Sequence, residues 1–313
     1  MKSSKPDGKF DQFLQEFPPL VRESLQSLLE SGGMLTAEHC RHVMNVMEIS
    51  ADTLMQRLLP MAGFYCAAAV SGFKVGAVAR ARMSDNADDV ALFLGGNIEF
   101  PALALTRTIH AEQSAVINAW LQGATQVKAI AVSAAPCGFC RQFLYELEGS
   151  PHVTILFYNQ GDRKPVRTNL LELLPAAFGP NDLGSKAGLM ASNTHPAKLN
   201  LKFSVNDPFV LEAVTAARIS YAPYTQNIAG CAIRTAEGRI YTGRSAENAA
   251  FNPSLSALHT AIIQMALGWP AADNKIDRVA LVERPTAASQ RADCELLLQT
   301  LAPGITLEYF EAE

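Results

Sequence analysis

The sequence predicts an α/β fold made of two copies of one strand-and-helix pattern behind a small helical lead-in. Three observations carry this. From about residue 50 onward, short apolar runs of strand type alternate with stretches of helical periodicity. Residues 206–313 then replay the order of residues 51–175, with Gly243, Glu247 and the aromatic Phe251 echoing the places of Gly95 and Glu99. Finally, 313 residues with 49% hydrophobic content are enough for two ordinary domains with full cores. The division expected is a helical region at 1–50, a first copy at 51–175, a connector at 176–205 and a second copy at 206–313.

The elements follow in order. Pro18-Pro19 opens a helical segment carrying Leu20, Val21, Leu25, Leu28 and Leu29, and Gly32-Gly33 stops it. Thr36 is placed to cap a helix over Ala37–Met47. His39 and His42 stand three apart there, and with no third ligand nearby they read as packing or surface residues. A helix from Asp52 to Val70 is expected to break or kink at Pro60. Strands follow at Val75–Arg82 and Val90–Leu94, the second ending in Gly95-Gly96, which could let the backbone turn and approach a ligand. Asn97 and Glu99, two apart in extended chain, project to one side. They could hold the hydroxyls of a sugar, or simply form a polar turn.

After the stretch His110–Cys140, a strand near Val153–Tyr158 and a helix near Thr168–Leu174 complete the first copy. The segment Ala176–Lys198, with Gly179-Pro180, Gly184-Ser185 and Thr194-His195-Pro196, reads as a connector. The second copy runs helix 207–220, strands 228–233 and 239–242, helix 254–267, strand 278–282, helix 291–301 and strand 306–310.

His110-Ala111-Glu112 heads a helical pattern, an apolar strand over Val127–Ser133 follows, and Pro136-Cys137-Gly138-Phe139-Cys140 opens another helix. Two cysteines two residues apart can place both sulfurs on one metal, and imidazole is a natural third zinc ligand. Structural zinc sites are closed by four protein ligands, whereas catalytic ones leave a position for water. Cys40, Cys66, Cys231 and Cys294 are isolated in sequence and His152 has no partner, so an open site is the better reading. A C-x-x-C pair alone would also serve redox chemistry or structure. On a helix, residues two apart diverge by about 200°, so His110 and Glu112 converge only on a site above the helix's N-terminal end. The helix dipoles there would favour thiolate and hydroxide. Arg141 either tunes a thiolate by hydrogen bonding or is a solvated helix arginine.

Composition excludes several classes. A net charge of −4 and the lack of a Lys/Arg cluster argue against a nucleic-acid partner. No apolar run approaches 18 residues, so no membrane partner is expected. Met1–Lys9 is polar, without the apolar core of a signal peptide. Scattered cysteines fit a reducing cytoplasm.

H-x-E followed by P-C-x-x-C is already known as the signature of zinc-dependent nucleobase deaminases. From about residue 50 to the end, the chain resembles cytidine deaminases, in particular the longer bacterial kind with an inactive second copy. The resemblance rests on Ser71-Gly72-Phe73-Lys74-Val75-Gly76-Ala77, Asn97-Ile98-Glu99-Phe100, Thr108–Ala115, Pro136–Phe143, Phe178-Gly179-Pro180 with Asp182-Leu183, and Ala246–Pro253. It implies a three-layer α/β/α core with a mixed five-stranded sheet, duplicated, and a cytoplasmic homodimer. It further implies hydrolysis of cytidine and deoxycytidine to uridine and deoxyuridine plus ammonia, as in pyrimidine salvage. One Zn2+ per chain would lie on His110, Cys137 and Cys140, with Glu112 as base and then acid. Phe73 would stack on the base, Asn97 and Glu99 would take the ribose hydroxyls, and backbone groups at Ala111 and Ala135 would read the pyrimidine edges. Phe178 would reach the other subunit's site. Ala134-Ala135, where this kind often carries larger side chains, leaves that pocket wall open. In the second copy Ser256-Ala257-Leu258-His259 replaces the ligand helix start and no C-x-x-C follows, so it cannot bind zinc this way; Cys294 and His259 read as core or surface residues. The rival readings are a deaminase of nucleotides or of cytosine in nucleic acid, which would want basic residues where Glu99 stands, and a non-catalytic scaffold with a structural zinc.

Overall fold

The computed structural model describes residues 9–158, 164–191, 196–268 and 275–313. The polar start therefore lies mostly outside the described residues, as do Thr194 and His195 of the connector. Helices α1 (Lys9–Leu14) and α2 (Pro19–Glu30) lead to the two-residue strand β1 (Met34–Leu35), then to α3 (Ala37–Met47) and α4 (Ala51–Ala62). Thr36 and Ser50 cap α3 and α4, each accepting from the backbone N–H three residues on. Pro60 does not interrupt α4. It stands in the last turn, so the chain loses one hydrogen bond near an end and continues into a 3-10 turn at Gly63–Tyr65.

The first copy continues as β2 (Gly76–Arg82), β3 (Val90–Gly96), α5 (Ala111–Leu121), β4 (Gln126–Val132), α6 (Gly138–Tyr145), β5 (Thr154–Phe157), β6 (Val166–Asn169) and the short α7 (Leu170–Leu173). The helix expected near Thr168–Leu174 is thus shorter. Thr168 belongs to β6, where it pairs with Ile155, and Asn169 caps α7 through its side chain. The sheet order is β1-β3-β2-β4-β5-β6, with β4–β5 parallel and the other pairs antiparallel. The sheet is mixed as expected, but it has six strands: β1, from the helical lead-in, pairs with β3 at Met34–Phe93 and Leu35–Leu92.

The second copy comprises α8 (Pro208–Arg218), β7 (Ala229–Thr235), β8 (Ile240–Arg244), α9 (Ala257–Leu267), β9 (Ile276–Glu283), α10 (Arg291–Leu301) and β10 (Leu307–Glu311). Among the described residues its sheet has four strands, ordered β10-β9-β7-β8. β7 slips register against β9 at Arg234/Thr235, as β2 slips against β4 at Arg80/Ala81.

Helices α4 and α5 both pack on the first sheet, and α5 also packs on α9. Every residue of α5 from Ala111 to Trp120 is buried, which suits a helix pressed between its own sheet and the second copy. Asn118 is bonded where it sits: its Nδ2 donates to Gly32 O (3.1 Å) and Leu94 O (3.0 Å). Close approach explains Gly95. A Cβ there would lie 2.2 Å from Ala115 N on α5, and one at Gly243 would lie 2.2 Å from Ala261 N on α9. Gly96 similarly admits the backbone at Tyr65–Cys66. Gly95 and Gly96 continue β3 and seat a helix and a turn.

Candidate active site

His110 is the N-cap of α5, Cys137 is the N-cap of α6, and Cys140 is the third residue of α6. The three metal-ligand candidates therefore sit at two helix starts, where dipoles favour negative charge. Their donor atoms all lie within 4.8 Å of one another, and among the described residues no fourth donor joins them. His110 Nδ1 and Cys137 Sγ are 3.6 Å apart. Two atoms bonded tetrahedrally to one zinc at about 2.1 Å (N) and 2.3 Å (S) stand about 3.6 Å apart. The donor set and its spacing fit zinc with one position open.

The charges fit as well. Hydrogen bonds from Cys140 and His110 hold the Cys137 thiol low, at about 3. The negative sulfur of Cys137 and burial push Cys140 far up. The pocket thus tolerates one thiolate by itself, and a divalent cation is what would ionise both. The Cys137 contact raises His110. Glu112, one residue into α5 beyond Ala111, is buried, and burial raises its carboxyl above the ordinary range. It sits near enough to Cys140 to share a hydrogen bond.

Asn97 and Glu99 are both buried at the foot of the 70–75 loop. Glu99 Oε2 accepts from Val70 N (2.8 Å) and Ser71 N (2.9 Å), and its Oε1 from Ser71 Oγ (2.5 Å). Asn97 accepts from Val75 N (2.9 Å) and donates to Phe73 O (3.0 Å). Whatever else they contact, the pair shapes the loop that presents Phe73, a residue 64% exposed. Burial alone would raise Glu99, but the Ser71 hydroxyl and the two backbone N–H groups bring it below its ordinary value. Ala111 is buried, Ala135 is exposed, and Phe178 is 46% exposed, its carbonyl accepting from Gln142 Nε2.

Arg141 reaches no thiolate. It donates to Pro136 O (2.9 Å) and Leu173 O (3.0 Å), bracing the turn before Cys137. His39 bonds Ser27 Oγ and His42 bonds Leu20 O, docking α3 on α2. Three contributors were not singled out from sequence: Ser71 beneath Glu99, Gln113, whose Oε1 accepts from His110 N (3.0 Å), and Phe139, whose ring lies 5.0 Å from the His110 imidazole. Only Gln113 carried a readable signal, as the reaching-back residue of a capping box.

The second copy repeats the bridges and the carboxylate-held loop of this scaffold. Ala67 and Tyr221 bridge Ile98 and Ala246 in the same way, and those residues pair with Ile109 and Leu255. Glu247 accepts from Tyr224 N, Thr225 N and Thr225 Oγ1, as Glu99 does from Val70 and Ser71. Counting on from Ile109 and Leu255, Ser256 stands in the place of His110 and Leu258 in that of Glu112. From the β2–β4 and β7–β9 registers, Thr286 and Ser289 replace Cys137 and Cys140. Cys294 and His259 are buried, and burial pushes His259 down to about 4.

An open His-Cys-Cys triad with a buried carboxylate at its mouth defines a zinc hydrolase of the deaminase type. Two family profiles, each described as the cytidine and deoxycytidylate deaminase zinc-binding region, match residues 49–156 and 170–294. A cytidine deaminase of Vibrio parahaemolyticus is 36% identical over 306 residues, 96% of this chain and 98% of that protein. One from Cronobacter sakazakii is 40% identical over 289 residues, 91% of this chain and 92% of that protein. The chain belongs to the cytidine deaminase family.

Proposed function

We propose that this enzyme hydrolyses the 4-amino group of cytidine and deoxycytidine, releasing ammonia and leaving uridine or deoxyuridine. The observation that carries this is the under-coordinated triad of His110, Cys137 and Cys140 with Glu112 buried beside it. A zinc held by His110, Cys137 and Cys140 would supply a water whose pKa is lowered towards ~7. Glu112 would accept a proton from the attacking water as its oxygen bonds to C4 and pass it to N3, then take the proton of the new C4 hydroxyl and deliver it to the amino group as the C4–N bond breaks and ammonia leaves; the burial that raises its carboxyl suits both duties. Phe73 stacks on the base from its exposed loop. Asn97 and Glu99 face the ribose 3′-hydroxyl, and backbone groups at Ala111 and Ala135 read the base edges. A carboxylate at the sugar site disfavours a phosphorylated substrate.

The working unit in this reading is a cytoplasmic homodimer in which the exposed Phe178 completes the neighbouring subunit's pocket. Residues 51–175 carry catalysis and 206–313 form the non-catalytic copy. No helix among the described residues is long and apolar enough to cross a membrane. The test is Glu112→Ala, assayed by the ultraviolet loss of cytidine, deoxycytidine, cytosine and the monophosphates, together with metal analysis. Zinc stays bound while nucleoside turnover falls by about 10²–10⁴ or more. Near-normal turnover in the variant refutes the role of Glu112, and faster loss of a monophosphate in the wild type refutes the nucleoside assignment. Sedimentation of Phe178→Ala, dimeric but slow, checks the shared pocket.

A further inference from the structure

The ligands His110 and Cys137 stand on different helices, 27 residues apart, and neither helix alone fixes their separation. One short segment of the second copy touches both helices. At α5, the fully buried Gln113 accepts from His110 N and donates from Nε2 to Pro253 O (3.1 Å), so each side of its amide is committed. At α6, Asn248 Nδ2 donates to Gln142 O (3.1 Å), and Ala249 N donates to Glu146 Oε2 (2.8 Å). Glu146 has no exposed surface and ends α6. Its other oxygen accepts from Tyr221 Oη (2.6 Å) and Tyr224 Oη (2.5 Å), again from the second copy. These three donors are neutral, and they occupy both carboxylate oxygens. An amide offers one acceptor oxygen and would leave a buried donor without its partner.

The segment itself is stiff. Asn248 N bonds Ser254 Oγ (2.9 Å), Ala250 N bonds Asn248 Oδ1 (3.0 Å), and Phe251 N bonds Asn248 O (2.9 Å). Phe251 is held at φ +62°, a conformation a bulky residue adopts only when its surroundings enforce it.

We infer that Asn248–Pro253 is a strut that sets the spacing of the two ligand-bearing helix starts, making Gln113, Glu146 and Asn248 positioning residues for the metal centre. On this view the second copy has lost its ligands but still shapes the first copy's site. The inference rests on the proposed zinc triad.

The test uses chelator-stripped full-length protein, with zinc affinity measured by competition and the cobalt derivative followed by visible spectroscopy. Glu146→Gln and Asn248→Ala weaken zinc about 10-fold or more. They also alter the cobalt bands and lower kcat while KM for cytidine stays within about twofold. Arg278→Ala serves as the stability control, because it loses ion pairs to Asp207 and Glu308 away from the strut. It lowers the melting temperature and leaves zinc affinity unchanged. Wild-type affinity and cobalt spectra in a folded Asn248→Ala protein overturn the strut, as does an equal loss of zinc in Arg278→Ala. Wild-type protein that binds no zinc overturns the active-site reading, and the strut with it.

Discussion

Replacing Gly95 by Ala tests how closely α5 is seated on the sheet. The added Cβ would lie 2.2 Å from Ala115 N and 2.7 Å from Ala115 Cα and Ser114 C, all backbone atoms that cannot swing aside. Ordinary contact begins near 3.4 Å, so strand and helix must part by more than an ångström. Overpacking of this kind costs about 3 kcal/mol, or about 5 °C of melting temperature in a chain of this size. The displaced turn lies directly after His110 and Glu112, and a misplacement of about 1 Å at reacting groups costs about 10²-fold in rate. Gly63→Ala is the counterpart: nothing lies within 4 Å of its Cβ, and its φ is −61°. It is expected to stabilise by about 0.4–1 kcal/mol and leave turnover unchanged. Steady-state cytidine assays with differential scanning calorimetry decide the matter. A Gly95→Ala enzyme with wild-type melting temperature and kcat within threefold would falsify the argument.

Three further outcomes are expected. Because burial lowers His259 to about 4 in the fold against 6.5 when exposed, its contribution is complete above pH 6.5 and is lost as pH falls towards 4; His259→Gln flattens this part of the stability–pH curve in thermal melts. Glu99 is also lowered on folding, so its contribution is present above about 4.5 and lost in stronger acid; Glu99→Gln raises KM for cytidine and removes that acid-side loss, and unchanged melts below pH 4.5 would count against it. Stripping the metal exposes Cys137, which is open to solvent while Cys40, Cys140, Cys231 and Cys294 are buried; alkylation mapped by mass spectrometry marks Cys137 first in stripped protein and spares it in the zinc form.

The sequence alone determined the chemistry, because that chemistry is local. His110 and Glu112 share one helix start, Cys137 and Cys140 another, and the signal lies in spacings of two and three residues. The same locality made Thr36, the α2 stop and the repeated Gly-x-x-x-Glu pattern readable. Tertiary structure decided what depends on distant chain. Met34–Leu35 is too short to announce a strand and forms one only against β3. Arg141, ambiguous by itself, is committed by a carbonyl 32 residues away. Asn97 and Glu99 proved to be the foundations of the Phe73 loop through bonds reaching back 22 to 29 residues. Gln113 meets Pro253 across 140 residues. Spacing along the chain specifies which atoms can share a metal, whereas the packing of one copy on the other specifies how firmly they are held there.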